Sequence, residues 1–273
     1  MKPALALLCV LLLAAPPLLW PADADPTIRT CQDWGGGAPV GCSDTFPQGA
    51  PWLVYDVRGI PPGRYALQRT SQRFTGTALI MTGADTAYLT NTDRVPPPAG
   101  SYTVTVTDQS SGRVVAQAKY TVTPQTPQEA WTMWQAGHGD FETMGAAVAA
   151  WRLDNTPKAV DLSRSLLVPG HWGPGVLTAY SLIYTIAMAE RDYATAIDET
   201  RALMNARRQA FEAHQTAFAT QPLDYVWLGR ALVAACRLTE AQSTLTEALR
   251  AYPKYDQLVA LTGRLENARS TCP

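Results

Sequence analysis

The hydrophobic period of this chain changes once, at Pro124-Gln125-Thr126-Pro127. Upstream of that point apolar residues recur at every second position. Tyr102, Val104 and Val106 alternate with Thr103, Thr105 and Thr107, and Val114, Ala116, Ala118, Tyr120 and Val122 repeat the pattern. Strand side chains alternate between two faces, so each run presents one apolar face. The intervening Asp108-Gln-Ser-Ser-Gly112 supplies a turn, with glycine where a positive φ is expected. The reading is a hairpin over 101–106 and 113–123 forming half of a sheet-on-sheet core. Further strands are expected at 52–57, 77–81 and 87–91.

Downstream the period is helical. Helices are expected at 128–135, 141–153, 176–190 and 193 to about 214, followed by a helix pair within 222–255. In that pair Gly229 and Ala241 are small, so two antiparallel helices can approach closely where they cross. Tyr225, Leu232 and Leu245 fill the space around the contact. Pro253 ends the second helix because it cannot continue the backbone ladder.

The order Tyr225, Leu228-Gly229, Leu232, Ala241, Leu245, Ala248, Pro253 resembles the tetratricopeptide (TPR) repeat. Two weaker echoes precede it: Gly139-Asp140-Phe141 and Arg191-Asp192-Tyr193 with Ala196-Ile197. Ala196 and Ala241 are farther apart than one strict repeat of about 34 residues, and Pro169-Gly-His-Trp-Gly-Pro174 interrupts the array. Another α-hairpin array or an irregular bundle fits the same pattern. The resemblance implies a concave face built from the first helix of each pair. By position it assigns partner contact to Val226, Arg230 and Val233, with Lys254 near the exit, and to Ser181, Thr185 and Met188 on the weaker repeat. Such a face suits another protein or peptide segment, with Arg230 meeting a carboxylate.

In the upstream half, Pro62-Gly63-Arg64-Tyr65 and Ala99-Gly100-Ser101-Tyr102 both place Gly-x-Tyr at the start of a strand. The second is similar to the entrance to the penultimate strand of bacterial immunoglobulin-like sandwiches, in which a corner tyrosine bonds back to the backbone. A transthyretin-like sandwich fits as well. The expected fold is thus multidomain, an antiparallel Ig-like β-sandwich followed by a TPR-like α-α solenoid. The sandwich is placed at 50–124, the helical domain at 128–271, and residues 25–49 form an arm.

Residues 1–24 read as an export leader: Lys2, an apolar run from Ala4 to Leu19, then Ala22-Asp23-Ala24 as a cleavage signal. The run is short for a membrane span and is broken by Pro16 and Pro17. The expectation is a secreted or periplasmic protein of about 250 residues, with no span after the leader is removed. Four cysteines then remain, Cys31, Cys42, Cys236 and Cys272. Export favours two disulfides with three possible pairings. Proximity favours Cys31–Cys42 and Cys236–Cys272, and in a solenoid the second pair would join two parallel neighbouring helices at their ends. No cysteine pair has zinc-knuckle spacing.

Chemistry-bearing motifs are scarce. The net charge of −1 gives no support to nucleic acid as a partner. The three histidines, His138, His171 and His214, form no metal-binding pair, and no nucleophile elbow or phosphate loop occurs. No catalytic residue, metal or cofactor is assigned. The reading is a non-catalytic binding or scaffolding protein of the cell envelope. The alternatives are an exported hydrolase or carbohydrate-active protein with its site around His171, Trp172 and Glu190, and a purely structural component.

Overall fold

The computed structural model describes residues 25–272 apart from 36–37, 62, 72–74, 83–86, 92–97 and 217; the expected leader lies outside these residues. The described chain is ten strands followed by eight helices, a β-then-α layout. The strands are β1 Thr27–Cys31, β2 Asp33–Gly35, β3 Ala38–Val40, β4 Thr45–Pro47, β5 Leu53–Arg58, β6 Gly63–Thr70, β7 Thr75–Thr82, β8 Ala87–Asn91, β9 Gly100–Asp108 and β10 Val114–Thr123. The helices are α1 Pro127–Trp134, α2 Asp140–Arg152, α3 Thr156–Arg164, α4 Pro174–Ala189, α5 Tyr193–Glu212, α6 Pro222–Ala234, α7 Leu238–Ala251 and α8 Asp256–Ala268. No described helix is long and apolar enough to cross a membrane.

A three-stranded sheet runs β1-β5-β8 and a five-stranded sheet β4-β10-β9-β6-β7, with β2 and β3 forming a separate small hairpin. Pairing is antiparallel except between β4 and β10. The alternation along β9 puts Tyr102, Val104 and Val106 inside, and Tyr120 and Val122 of β10 join them. Val114 is exposed instead, because the β9–β10 register shifts between Val114 and Ala116. The two sheets meet where the Tyr55 hydroxyl lies 3.1 Å from the Tyr120 hydroxyl. Tyr102 stacks on Tyr120 with centroids 5.1 Å apart, and the buried Arg69 lies over the Tyr102 ring. Burial pushes the Tyr55 and Tyr120 hydroxyls up, and the nearby Arg69 charge opposes that shift.

Within the segment expected as an arm, β1 pairs with β5 and β4 with β10. Asp56 of β5 is fully buried and accepts from Arg29 Nη2 of β1 at 2.6 Å and from Arg58 Nε at 2.8 Å. Both Gly-x-Tyr motifs carry the same bond: Tyr65 donates to the Pro61 carbonyl at 2.9 Å and Tyr102 to the Pro98 carbonyl at 2.7 Å.

The period change at 124–127 is a stitched joint. Thr126 accepts from the Glu129 N–H and its own N–H donates to the Glu129 carboxylate, so the reciprocal cap starts α1. The Gly49 N–H donates to Gln125 Oε1, the Gln125 N–H to Gln48 Oε1, and Arg152 of α2 to the Gln125 carbonyl. Trp52, fully buried just before β5, meets Phe141 of α2 edge-on at 5.0 Å, and Phe141 meets Trp134 of α1 at 5.1 Å. One hydrophobic core therefore runs from the sheets through α1–α3 to Ala179, Leu182 and Ile186 on α4. A second core takes Val176, Tyr180, Tyr184 and Ala187 from the same helix and continues through α8. Packing changes hands along α4, some fifty residues beyond the change of period.

The Trp134 ring lies flat on Gly145. A Cβ on Gly145 would sit 2.6 Å from the indole Cγ and Cδ1. Gly145→Ala is therefore expected to cost about 1–3 kcal/mol through overpacking, read as a lower urea midpoint with an unchanged slope.

α3 was not anticipated from periodicity. Asn155 caps it by accepting from the Lys158 N–H at 3.3 Å, and proline lies in its first turn.

Candidate functional site

The helices after α3 pack in sequence, with α6 also touching α8. Tyr184 of α4 stacks on Trp227 of α6 at 5.1 Å and donates to the Trp227 carbonyl. α6 is thereby a neighbour of both α4 and α8. Gly229 marks a close approach, since a Cβ there would meet Leu261 of α8 at 2.8 Å and Leu245 of α7 at 3.2 Å. The small residue thus admits two helices.

Of the residues assigned to partner contact, Ser181 and Val226 are fully buried. They stand at the core end of their stripes and present nothing to a partner. One and two turns further along, Thr185 and Met188 on α4 and Arg230 and Val233 on α6 are half-buried, and Lys254 beyond α7 is exposed. The Thr185 hydroxyl is already committed to the Ser181 carbonyl at 2.7 Å. Arg230 reaches across to Gln257 Oε1 of α8 at 3.4 Å, and no carboxylate lies within ion-pair distance of it among the described residues. Gln257 and the exposed Val259 extend this surface onto α8. Neither was assigned from sequence, because helix 256–268 lies past the last recognisable repeat.

Two features stiffen the surface. Cys236, just past α6, bonds to Cys272, just past α8, and Cys31 bonds to Cys42 in the β half. Arg207 of α5 and Asp224 of α6 form a buried bidentate pair, 2.8 and 3.0 Å, with both side chains 4% exposed. Asp224 also accepts from the Gln221 N–H, and Trp172 lies against the guanidinium at 5.1 Å. The loop ahead of α4 is thus fastened to α5 and α6.

Tyr225 donates to Glu247 Oε1 at 2.9 Å. Burial, then the hydrogen bond and charge of Glu247, push its hydroxyl up to about 12. A raised folded value means the stabilisation is complete below the ordinary value of 10.0 and is lost as pH rises through about 12. Tyr225→Phe should flatten the loss of helical circular dichroism between those pH values. An unchanged alkaline transition would show that the Tyr225 hydroxyl does not drive it.

At the loop 169–174, His171 Nε2 lies 2.8 Å from Asp140 Oδ2, with the side chains 48% and 41% exposed. No hydroxyl or thiol hydrogen-bonds His171 among the described residues. Glu190 is exposed at the far end of α4 and does not join the pair. No group of three potential metal ligands occurs among the described residues. A separate cleft of about 340 Å³ opens between α1, α2 and α3, lined by Trp131, His138, Thr143, Lys158 and Leu162 among others.

The chain matches no protein-family model and no curated protein.

Proposed function

We propose that this chain is an exported, non-catalytic binding or scaffolding protein of the cell envelope, holding a protein or peptide segment on its helical half. In this reading the sheets are an immunoglobulin-like sandwich acting as spacer, and α4–α8 are a TPR-like array. The two corner tyrosines support the first assignment, and the adjacency of α6 to both α4 and α8 supports the second. Two disulfides and the leader-like start support export.

The observation that carries the binding assignment is Arg230. It is a half-buried cation with an amide contact and no carboxylate partner among the described residues, flanked by Val233 and by Gln257. That combination suits a carboxylate-bearing extended segment or helix. The test is a crosslinking capture from the native envelope fraction, comparing the mature protein with Arg230→Glu,Val233→Asp. Both positions are half-buried, so the variant is expected to fold; Val226 is unsuitable because it is core. Loss of a specific partner in the variant is the expected result, and equal capture by both would move the contact elsewhere.

The alternative of a hydrolase rests on the His171–Asp140 pair. It predicts a hydrolytic activity abolished by His171→Ala, and a folded His171→Ala protein that keeps such activity would remove it.

A further inference from the structure

The cleft between α1, α2 and α3 lies outside the surface proposed above, and it is built differently. Its floor is apolar: Trp131 and Trp134 of α1, Ala146 of α2 and Leu162 of α3. Its rim is polar: Gln135, His138, Thr143, Lys158 and Ser165. Helical spacing gathers these groups. Trp131 and Gln135 are one turn apart on α1, Thr143 and Ala146 share a face of α2, and Lys158, Leu162 and Ser165 run down one stripe of α3.

Most polar groups of the lining are not used by the fold. The Trp131 indole N–H, the Gln135 amide, the Thr143 hydroxyl, the His138 ring and the Lys158 ammonium make no hydrogen bond or ion pair to any described residue. Ser165 is the exception, donating to the Leu162 carbonyl, and its lone pairs still accept. Trp131 is half-buried, and its indole N–H is not among the buried polar atoms. No carboxylate lines the cleft. Glu142 packs against the lining residue Gly137 and against Gly139, and so borders the cleft from the side of α2, while Asp140 of the same turn is paired with His171. A concavity of about 340 Å³ lies at the small end of the range for ligand sites, room for one or two sugar rings.

We propose that this cleft binds a saccharide carrying a carboxylate. An indole face accepts the C–H face of a pyranose, burying apolar surface without demanding a charge. Lys158 supplies a cation for the carboxylate, and His138 a further donor beside it. Gln135, Thr143, Ser165 and the indole N–H offer single hydrogen bonds of both senses, which suits separate hydroxyls better than a peptide backbone ladder. No lining residue is itself a carboxylate, and the exposed Lys158 on the α3 side, across from Glu142, supplies the charge that favours an acidic sugar over a neutral one.

The test is equilibrium titration of the mature protein with digalacturonate and, separately, with the neutral disaccharide cellobiose, followed by the indole N–H resonances. The expected result is saturable digalacturonate binding that shifts one indole signal and weakens as salt is added. It should fall about tenfold or more in Lys158→Gln, and cellobiose should bind about tenfold more weakly than the acid. Trp131→Ala should abolish binding. Lys158 is exposed, so its variant keeps the measurement meaningful if loss of Trp131 disturbs the helices. Equal binding of the two sugars, retention of full affinity in both variants, or no saturable binding at millimolar acid would each overturn the proposal. None of these outcomes bears on Arg230.

Discussion

Asp224→Ala is expected to destabilise the second core by about 3–5 kcal/mol, because it leaves the Arg207 guanidinium in the interior with an aromatic ring but no counter-charge. Several losses coincide. Both hydrogen bonds to Arg207 go, the Gln221 N–H at the start of α6 loses its acceptor, and Trp172 no longer has a fixed cation to lie against. The damage is predicted to be local. Amide exchange should accelerate through α5, α6 and the loop before α4, while the β strands keep their protection. The paired substitution Arg207→Met,Asp224→Leu should recover most of the loss, since removing both charges ends the desolvation problem that removing one creates. A cost below about 1 kcal/mol for the single change would mean that water reaches Arg207 readily.

Trp52→Ala should be comparably severe, about 3–5 kcal/mol, and its footprint should be different. Trp52 is among the largest fully buried side chains and gives up its edge contact with Phe141 and its bond to Asp33 Oδ1 at 3.2 Å. Because one core joins the sheets to α1–α3, protection should fall together in β5 and in α2. If β5 alone loosened while α2 kept its exchange rates, the sheet and the first helices would be independent units despite their contact.

That shared core is also where sequence and structure part company. The hairpin over β9 and β10 was legible because alternation and turn chemistry agree: Asp108 accepts from the Ser110 N–H and hydroxyl and from the Ser111 hydroxyl, and Gly112 takes φ 70. These bonds, led by the Ser110 hydroxyl, hold the Asp108 carboxyl down at about 2. The helix pair α6–α7 was legible because Gly229, Ala241 and Pro253 each do something only that residue type does well. The merging of two periods into one core was not legible. Trp52 and Phe141 look like ordinary core residues of separate halves, and nothing local records that they touch. β1 and β4 were missed for a related reason. They are short strands in Gly- and Pro-rich sequence, held by partners far along the chain rather than by their own pattern.

What the sequence could say of the candidate site residues stops at which helix face they share. The resemblance pointed to stripes on α4 and α6, but depth along a stripe depends on what covers it, so Ser181 and Val226 are interior while Arg230 and Val233 are half-buried. The cleft of α1–α3 was out of reach because α3 itself had not been anticipated. Its signal was present in Asn155-Thr156-Pro157, a cap followed by a proline at a helix start.

The bond between Cys236 and Cys272 has a bearing on the lifetime of the protein. A helix packed on one side only is ordinarily where local unfolding begins. Here α8 is held to α6, two elements earlier, across a sequence separation of 36 residues. Closing a loop of that length removes about 4 kcal/mol of freedom from the unfolded chain. The bond joins the segment after α6 to the segment after α8, so α8 can detach as a unit only after reduction. In a compartment rich in proteases and poor in reductants, α8 becomes one of the more durable helices of the array's outer side.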